Sequence, residues 1–301
     1  MKNLIPLMQR EWLQHRLAWG LMALLPTLIA ALLLSFGQVQ IAAEEQGEHL
    51  PMALAAGALG GSMGLHLVML WIVALITTAG LARRDHGDRS VEFWLSLPTS
   101  HASSLAVPLL VHLVLVPVAA LLVGLAGGLV VSFVLISRVE GSGAWFALPW
   151  GVLMASALAI FARLAAGVLL AVLWLSPLLL LMVLLTAWLR RWGLVVMALG
   201  LGLGSQVLDK VFGIGAPLRL LGELLGNAGR SIANAGSGEM VIETSHDLSA
   251  ALGLVPHWAL TDTVQALRLL VSPLLIGALL VAAACFTLLV RWRQGGADAG
   301  N

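Results

Sequence analysis

Charge is scarce in this 301-residue chain. Asp, Glu, Lys and Arg together make up 10% of it, and lysine stands at positions 2 and 210 alone. With a net charge of +1 and no basic run, the pattern excludes a nucleic-acid-binding protein. Neither lysine belongs to a G-x-x-x-x-G-K-[ST] sequence, so the chain has no phosphate-gripping loop of its own. The single cysteine, Cys285, forms no internal disulfide and offers no paired-thiolate metal pattern. H-E-x-x-H and G-x-S-x-G are missing too. An enzyme acting alone is not expected, nor is a resident cofactor or metal.

What is abundant is apolar. Hydrophobic residues reach 60% and mean hydropathy is +0.98, against about 45–50% apolar in globular chains. Long apolar runs, rather than alternating strands of about ten residues, point to an all-α membrane protein. Runs near the roughly 20 residues needed to cross hydrocarbon fall at 17–36, 61–81, 104–136, 153–189, 194–211 and 269–290, giving six spans in one domain, 1–301. The third run is too long for a simple crossing and must tilt, project or break near Pro117. The fourth, with Arg163 and Pro177, reads as an outer, partly interfacial helix followed by a true span from about Ala165.

Before the first span, residues 1–16 read as an interfacial helix. Leu4, Ile5, Met8 and Trp12 share one face, with Asn3, Arg10 and Gln14 opposite. Glu11 and the long apolar run that follows argue against a cleaved signal peptide. Between the last two spans, 212–266 reads as an outer loop. Within it Leu218, Leu221, Leu224 and Leu225 beside Arg219 and Glu223 suggest an amphipathic, re-entrant segment, and 227–238 reads as flexible loop.

Orientation follows from the basic residues. Lys2, Arg10, Arg16, Arg83, Arg84, Arg89, Arg190, Arg191, Arg291 and Arg293 are ten of the sixteen Lys/Arg, and six spans put them all on one side. That side, with both termini, is expected to be cytoplasmic. Trp19, Trp145, Trp150, Trp188, Trp192, Trp258 and Trp292 near predicted ends suit an aromatic belt.

Inside the spans, His66 and His112 are ionisable, and such groups are functional suspects. A neutral histidine bonded across a helix pair fits equally well. Arg163 is read as an outer interfacial arginine that snorkels to headgroups. Asp209 and Lys210 read as interfacial. Gly60/Gly64, Gly124/Gly128 and Gly200/Gly204 have the spacing that lets membrane helices approach closely.

The densest signal is a polar island at 82–103. Arg83, Arg84, Asp85, Asp88, Arg89 and Glu92 place six charges between two apolar runs, where each would cost roughly 2.5–3.5 kcal/mol at a bilayer centre. The island therefore lies in water, yet it carries Val91, Phe93, Trp94, Leu95 and Leu97. Asp88 can cap a short helix with Glu92 in its first turn. Val91, Trp94 and Leu95 then share a face, and Pro98 turns Leu97 out of the helix. A charged and sticky surface helix suggests docking of a soluble partner.

Arg84-Asp-His-Gly-Asp-Arg-Ser-Val-Glu-Phe-Trp-Leu-Ser-Leu-Pro-Thr-Ser100 resembles the cytoplasmic segment after the second span of ABC-2-type permeases. There a charged cluster precedes an "slP-[ST]-S" ending. Trp174-Leu-Ser-Pro177 through Thr186-Ala-Trp-Leu-Arg-Arg191 resembles the W-x-x-P…S-A-W-x-x-R pattern of the same family, and Ser272-Pro273 with Arg291-Trp-Arg293 its closing span. His101 and Ala102 stand where that family often has an acidic residue. The resemblance implies a bacterial inner-membrane permease subunit of an ABC exporter, paired with a second copy or a paralogue. Separate ATPase subunits would carry ATP and Mg. Asp88, Arg89, Val91, Glu92, Phe93, Trp94, Leu95 and Leu97 would form the coupling helix that meets them, with Leu4, Met8 and Trp12 on the interfacial helix. Two other readings of the residues are an ion-coupled secondary transporter and a non-transporting scaffold or immunity protein.

Overall fold

A computed structural model describes residues 4–37, 49–87, 100–232, 234–236 and 248–298. The coupling segment 88–97 lies outside them. Regular structure among the described residues is entirely helical. Helices saturate their own backbone hydrogen bonds, which hydrocarbon surroundings require. Five stretches are long and apolar enough to cross a membrane: Leu4–Phe36, Leu50–Leu81, His101–Val139, Trp150–Phe212 and Pro273–Gln294. The protein is thus a multi-pass helical membrane protein. The predicted fourth and fifth runs share one of the five stretches.

Helix α1 (Leu4–Phe36) is continuous, so the expected interfacial helix and the first span form one rod. Helix α2 is Leu50–Gly87. Helix α3 begins at His101, capped by Ser100, whose hydroxyl accepts the Ser103 N–H at 3.1 Å. It passes through a π turn at Val111–Leu115 and continues as Val116–Val139. The wider turn precedes Pro117, which has no N–H to offer the preceding turn. Of the tilt, break or projection expected for this run, no break occurs: the stretch His101–Val139 is continuous, with only this π turn before Pro117.

After a short α4 (Ser142–Phe146), α5 runs unbroken from Trp150 to Leu189. The sequence reading divided it near Ala165; Pro177 and Arg163 are both accommodated in one helix of about 60 Å, twice a hydrocarbon core of about 30 Å. A 3₁₀ turn, Arg190–Trp192, follows, with Arg190 at φ 57°. Gly193 then packs on the backbone of Thr186, so the chain doubles back. Helix α6 comprises Gly193–Ala198, a π stretch Leu199–Gly204 and Ser205–Phe212. Gly213 closes it in a left-handed turn (φ 68°), and the Ile214 N–H donates to the Leu208 carbonyl at 2.9 Å.

The predicted outer loop is largely helical: α7 is Ala216–Ile232 and α8 is Leu248–Arg268, followed by α9 (Pro273–Asp298). Residues 227–232, read as flexible loop, complete the last turns of α7. The packing of Ala228 and Ser231 on α5 overrides the Gly/Asn content.

Helix α5 is the axis of the bundle, packed against α2, α7, α8 and α9. At one end Ala79, Leu105, Val183, Ala187, Cys285 and Leu289 form a common apolar cluster. At the other, Met52, Ala55, Ile136, Leu153, Leu252 and Val255 do so. The first cluster brings the 190–192 turn, the close of α2, the start of α3 and Arg293 of α9 to one end.

Candidate functional site

Of the residues expected to dock a partner, Asp88, Arg89, Val91, Glu92, Phe93, Trp94, Leu95 and Leu97 fall outside the described residues. Their two anchors are α2 and the Ser100-capped start of α3. Leu4, Met8 and Trp12 lie on the exposed face of α1, with Trp12 57% exposed. Of the polar face opposite, Gln14 is exposed while Arg10 is buried, and Glu11, outside that face, is buried beside Leu7. Helix α1 therefore turns its apolar face outward.

Buried Glu11 meets His112 of α3. The histidine Nε2 lies 3.1 Å from Glu11 Oε2, and both side chains are fully enclosed. The other ring nitrogen, Nδ1, lies 3.1 Å from the Thr77 hydroxyl of α2. His15 stands one turn beyond Glu11, its ring 5.0 Å from that of His112 and stacked on Trp19 at 5.4 Å. Trp19 itself is buried, so it belongs to this cluster and not to an aromatic belt. Three helices thus meet at one polar knot.

His66 makes a second tie. Its Nδ1 lies 2.8 Å from the Ser62 carbonyl and its Nε2 3.0 Å from the Ala23 carbonyl of α1. Whichever nitrogen carries the hydrogen, the ring donates to main chain. This is the histidine bonded across a helix pair that the sequence allowed.

Arg163 departs from expectation. It is 2% exposed and does not snorkel. Its Nε–H donates to Asp262 Oδ2 at 2.7 Å, and Nη1–H donates to the Ser231 carbonyl at 2.6 Å. Asp262, fully enclosed, also accepts the Ala235 N–H at 2.9 Å. One guanidinium therefore fastens α5, α7 and α8 together. Gly167 makes room, since a Cβ there would stand 2.5 Å from the Ser231 carbonyl oxygen. Asp209 and Lys210 do sit at the surface, paired at 3.7 Å.

Sequence reading missed Glu11 and Asp262 as partners. The available signal for the first was the Glu11/His15 spacing, which puts both on one helix face. For the second it was a lone acid beyond Pro256 in an otherwise apolar stretch. Of the motif residues, Thr186 is explained locally: its hydroxyl donates to the Ala79 carbonyl at 2.6 Å, joining α5 to α2. Trp174 is fully buried against α7 and α9. Comparison with protein-family models, curated proteins and solved structures returns no match.

Proposed function

We propose that this chain is the transmembrane permease subunit of an ATP-driven ABC exporter of the ABC-2 type. It would work as a dimer, with a second copy or a paralogue, in a bacterial inner membrane with both termini cytoplasmic. The observation that carries the reading is the sequence of the 88–97 segment and its flank, with six charges at 83–92 beside Phe93 and Trp94, between two membrane helices. Its ordered resemblance to the family, and the absence of an ATP-binding loop from the sequence, suit a subunit driven by a separate ATPase that holds ATP and Mg.

Closure of the ATPase pair would push on 88–97 and on the first turns of α1. A continuous helix transmits such a push along its length, so α1 can act as a lever against α3 through the Glu11–His112 contact. The mostly apolar spans suit a lipid, peptide or hydrophobic drug better than a sugar or free ion. A second reading, ion-coupled transport, draws on the same Glu11–His112 pair.

The test is copurification with the partner ATPase and measurement of ATP hydrolysis. Trp94→Ala should weaken association by roughly 2 kcal/mol or more if the indole fills a partner groove. Glu92→Ala should do so more mildly. Both variants should still insert. Normal ATPase binding and transport by both would overturn the coupling assignment, and transport with no ATPase at all would favour the ion-coupled reading.

A further inference from the structure

Helices α5 and α6 are joined by the short turn Arg190–Trp192, and a cavity lies beside it. Its volume is about 290 Å³, and it is lined by Ala79 and Gly80 of α2, Thr186 of α5, Arg190 and Arg191 of the turn, and Leu194 of α6. Ligand pockets commonly run from about 300 to 1,000 Å³, so this one suits a molecule the size of a headgroup. Two arginines and, among the described residues, no carboxylate line it.

Neither arginine is neutralised within the described protein. Both are exposed. The Arg190 side chain makes no hydrogen bond or ion pair among the described residues, and the Arg191 guanidinium stands 5.9 Å from the centre of the Trp192 ring. Arg190 also holds a backbone conformation that side chains resist. At φ 57° it is the one non-glycine residue at positive φ among the described residues. Glycine would take this turn more easily, so the local fold does not select the arginine. Such an outlier points to a role for the side chain that bears it.

Position supplies the kind of anion. The turn joins two apolar helices of one membrane-spanning stretch, and the chain doubles back there, at a membrane boundary. Trp188 and Trp192 flank it and are exposed, as rings at headgroup level are. Leu189 and Leu194, also exposed, carry the surface on toward hydrocarbon. Gly80 is exposed, with nothing within 4 Å of where its Cβ would stand, so the cavity is open on the α2 side. Guanidinium forks pair with phosphate oxygens, and basic pockets between spans hold anionic headgroups.

We propose that Arg190 and Arg191 hold the phosphate of an anionic phospholipid whose headgroup occupies the cavity between α2, α5 and α6. The site depends neither on the transport reading nor on which face is cytoplasmic.

The test uses the full-length chain, stripped of lipid in detergent and titrated with phosphatidylglycerol or phosphatidylcholine, with bound lipid counted by native mass spectrometry. One phosphatidylglycerol per chain should be held about tenfold more tightly than phosphatidylcholine. Arg190→Gly should lose that advantage without lowering the thermal unfolding midpoint, because glycine suits the backbone. Arg191→Gln should weaken binding to a similar extent. Gly80→Leu keeps both arginines but fills the open side, and should weaken it too. Arg219→Gln, at an exposed position on α7, should leave binding unchanged. Glycerol phosphate at the same concentration should not displace the lipid. Unchanged binding in both turn variants, or an equal loss in Arg219→Gln, would reduce the arginines to general surface charge and overturn the site. Displacement by glycerol phosphate would overturn the lipid as its occupant.

Discussion

Arg163 and Asp262 set the terms at the scale of single residues. Leaving one buried charge without its partner typically costs about 3–5 kcal/mol, while replacing both by apolar groups is often neutral. Arg163→Ala and Asp262→Ala should each lower the thermal unfolding midpoint sharply. An Arg163→Met/Asp262→Leu double variant should recover much of the loss. Arg163→Lys should also be destabilised, because one ammonium cannot span the carboxylate and the Ser231 carbonyl as the planar guanidinium does. A lysine variant with an unchanged midpoint would return Arg163 to the interfacial role its sequence suggests. Arginine near the end of an apolar run reads as a headgroup contact because snorkelling is the default for a long cation. Only a carboxylate on another helix changes that, and nothing local to Arg163 reveals it.

Helices explain which of three glycine pairs matters. A Cβ on Gly124 would stand 2.6 Å from Met63 Cα, and one on Gly128 2.7 Å from Leu59 Cα. Those glycines let α3 lie against the backbone of α2. Gly60, Gly64 and Gly200 have open space where a Cβ would be. Gly124→Ala and Gly128→Ala should therefore destabilise by about 1–3 kcal/mol through overpacking. Gly60→Ala and Gly64→Ala should be neutral or stabilising by up to about 1 kcal/mol, from helix propensity. Unfolding of the four variants in one detergent checks this, and equal losses in both sets would deny the α2–α3 seam. The spacing was legible in the sequence for all three pairs. Which pair forms a contact depends on the rotation of one helix against another, which spacing does not encode.

For the whole molecule, the issue is which end faces which compartment. The structure gathers the 190–192 turn and the basic end of α9 at one end, and the α3–α5 connection at the other. Cysteine introduced for the exposed Arg191 should react with an impermeant reagent from the cytoplasm, and cysteine at the exposed Ser142 from outside. The native Cys285 is buried and gives little background. Labelling of both positions from the same face would mean that α5 does not cross, and the orientation would fail with it. Helix α5 alone is about 60 Å long, about twice a hydrocarbon core. Arg163 lies about 39 Å along it from Leu189.

The sequence by itself determined that this is a helical membrane protein and where most of its apolar runs lie. Those properties follow from local transfer free energies and from the need of each segment to satisfy its own backbone. The irregularity near Pro117 was legible as one of three options, because it is local too. The tertiary structure alone decided that Glu11 of α1 turns inward, because it meets a partner 101 residues away. It likewise decided that Arg163 is fastened to a carboxylate 99 residues on, and that much of the outer loop is helix. A buried polar group is stable only once its partner arrives, and that partner is fixed by the packing of distant helices.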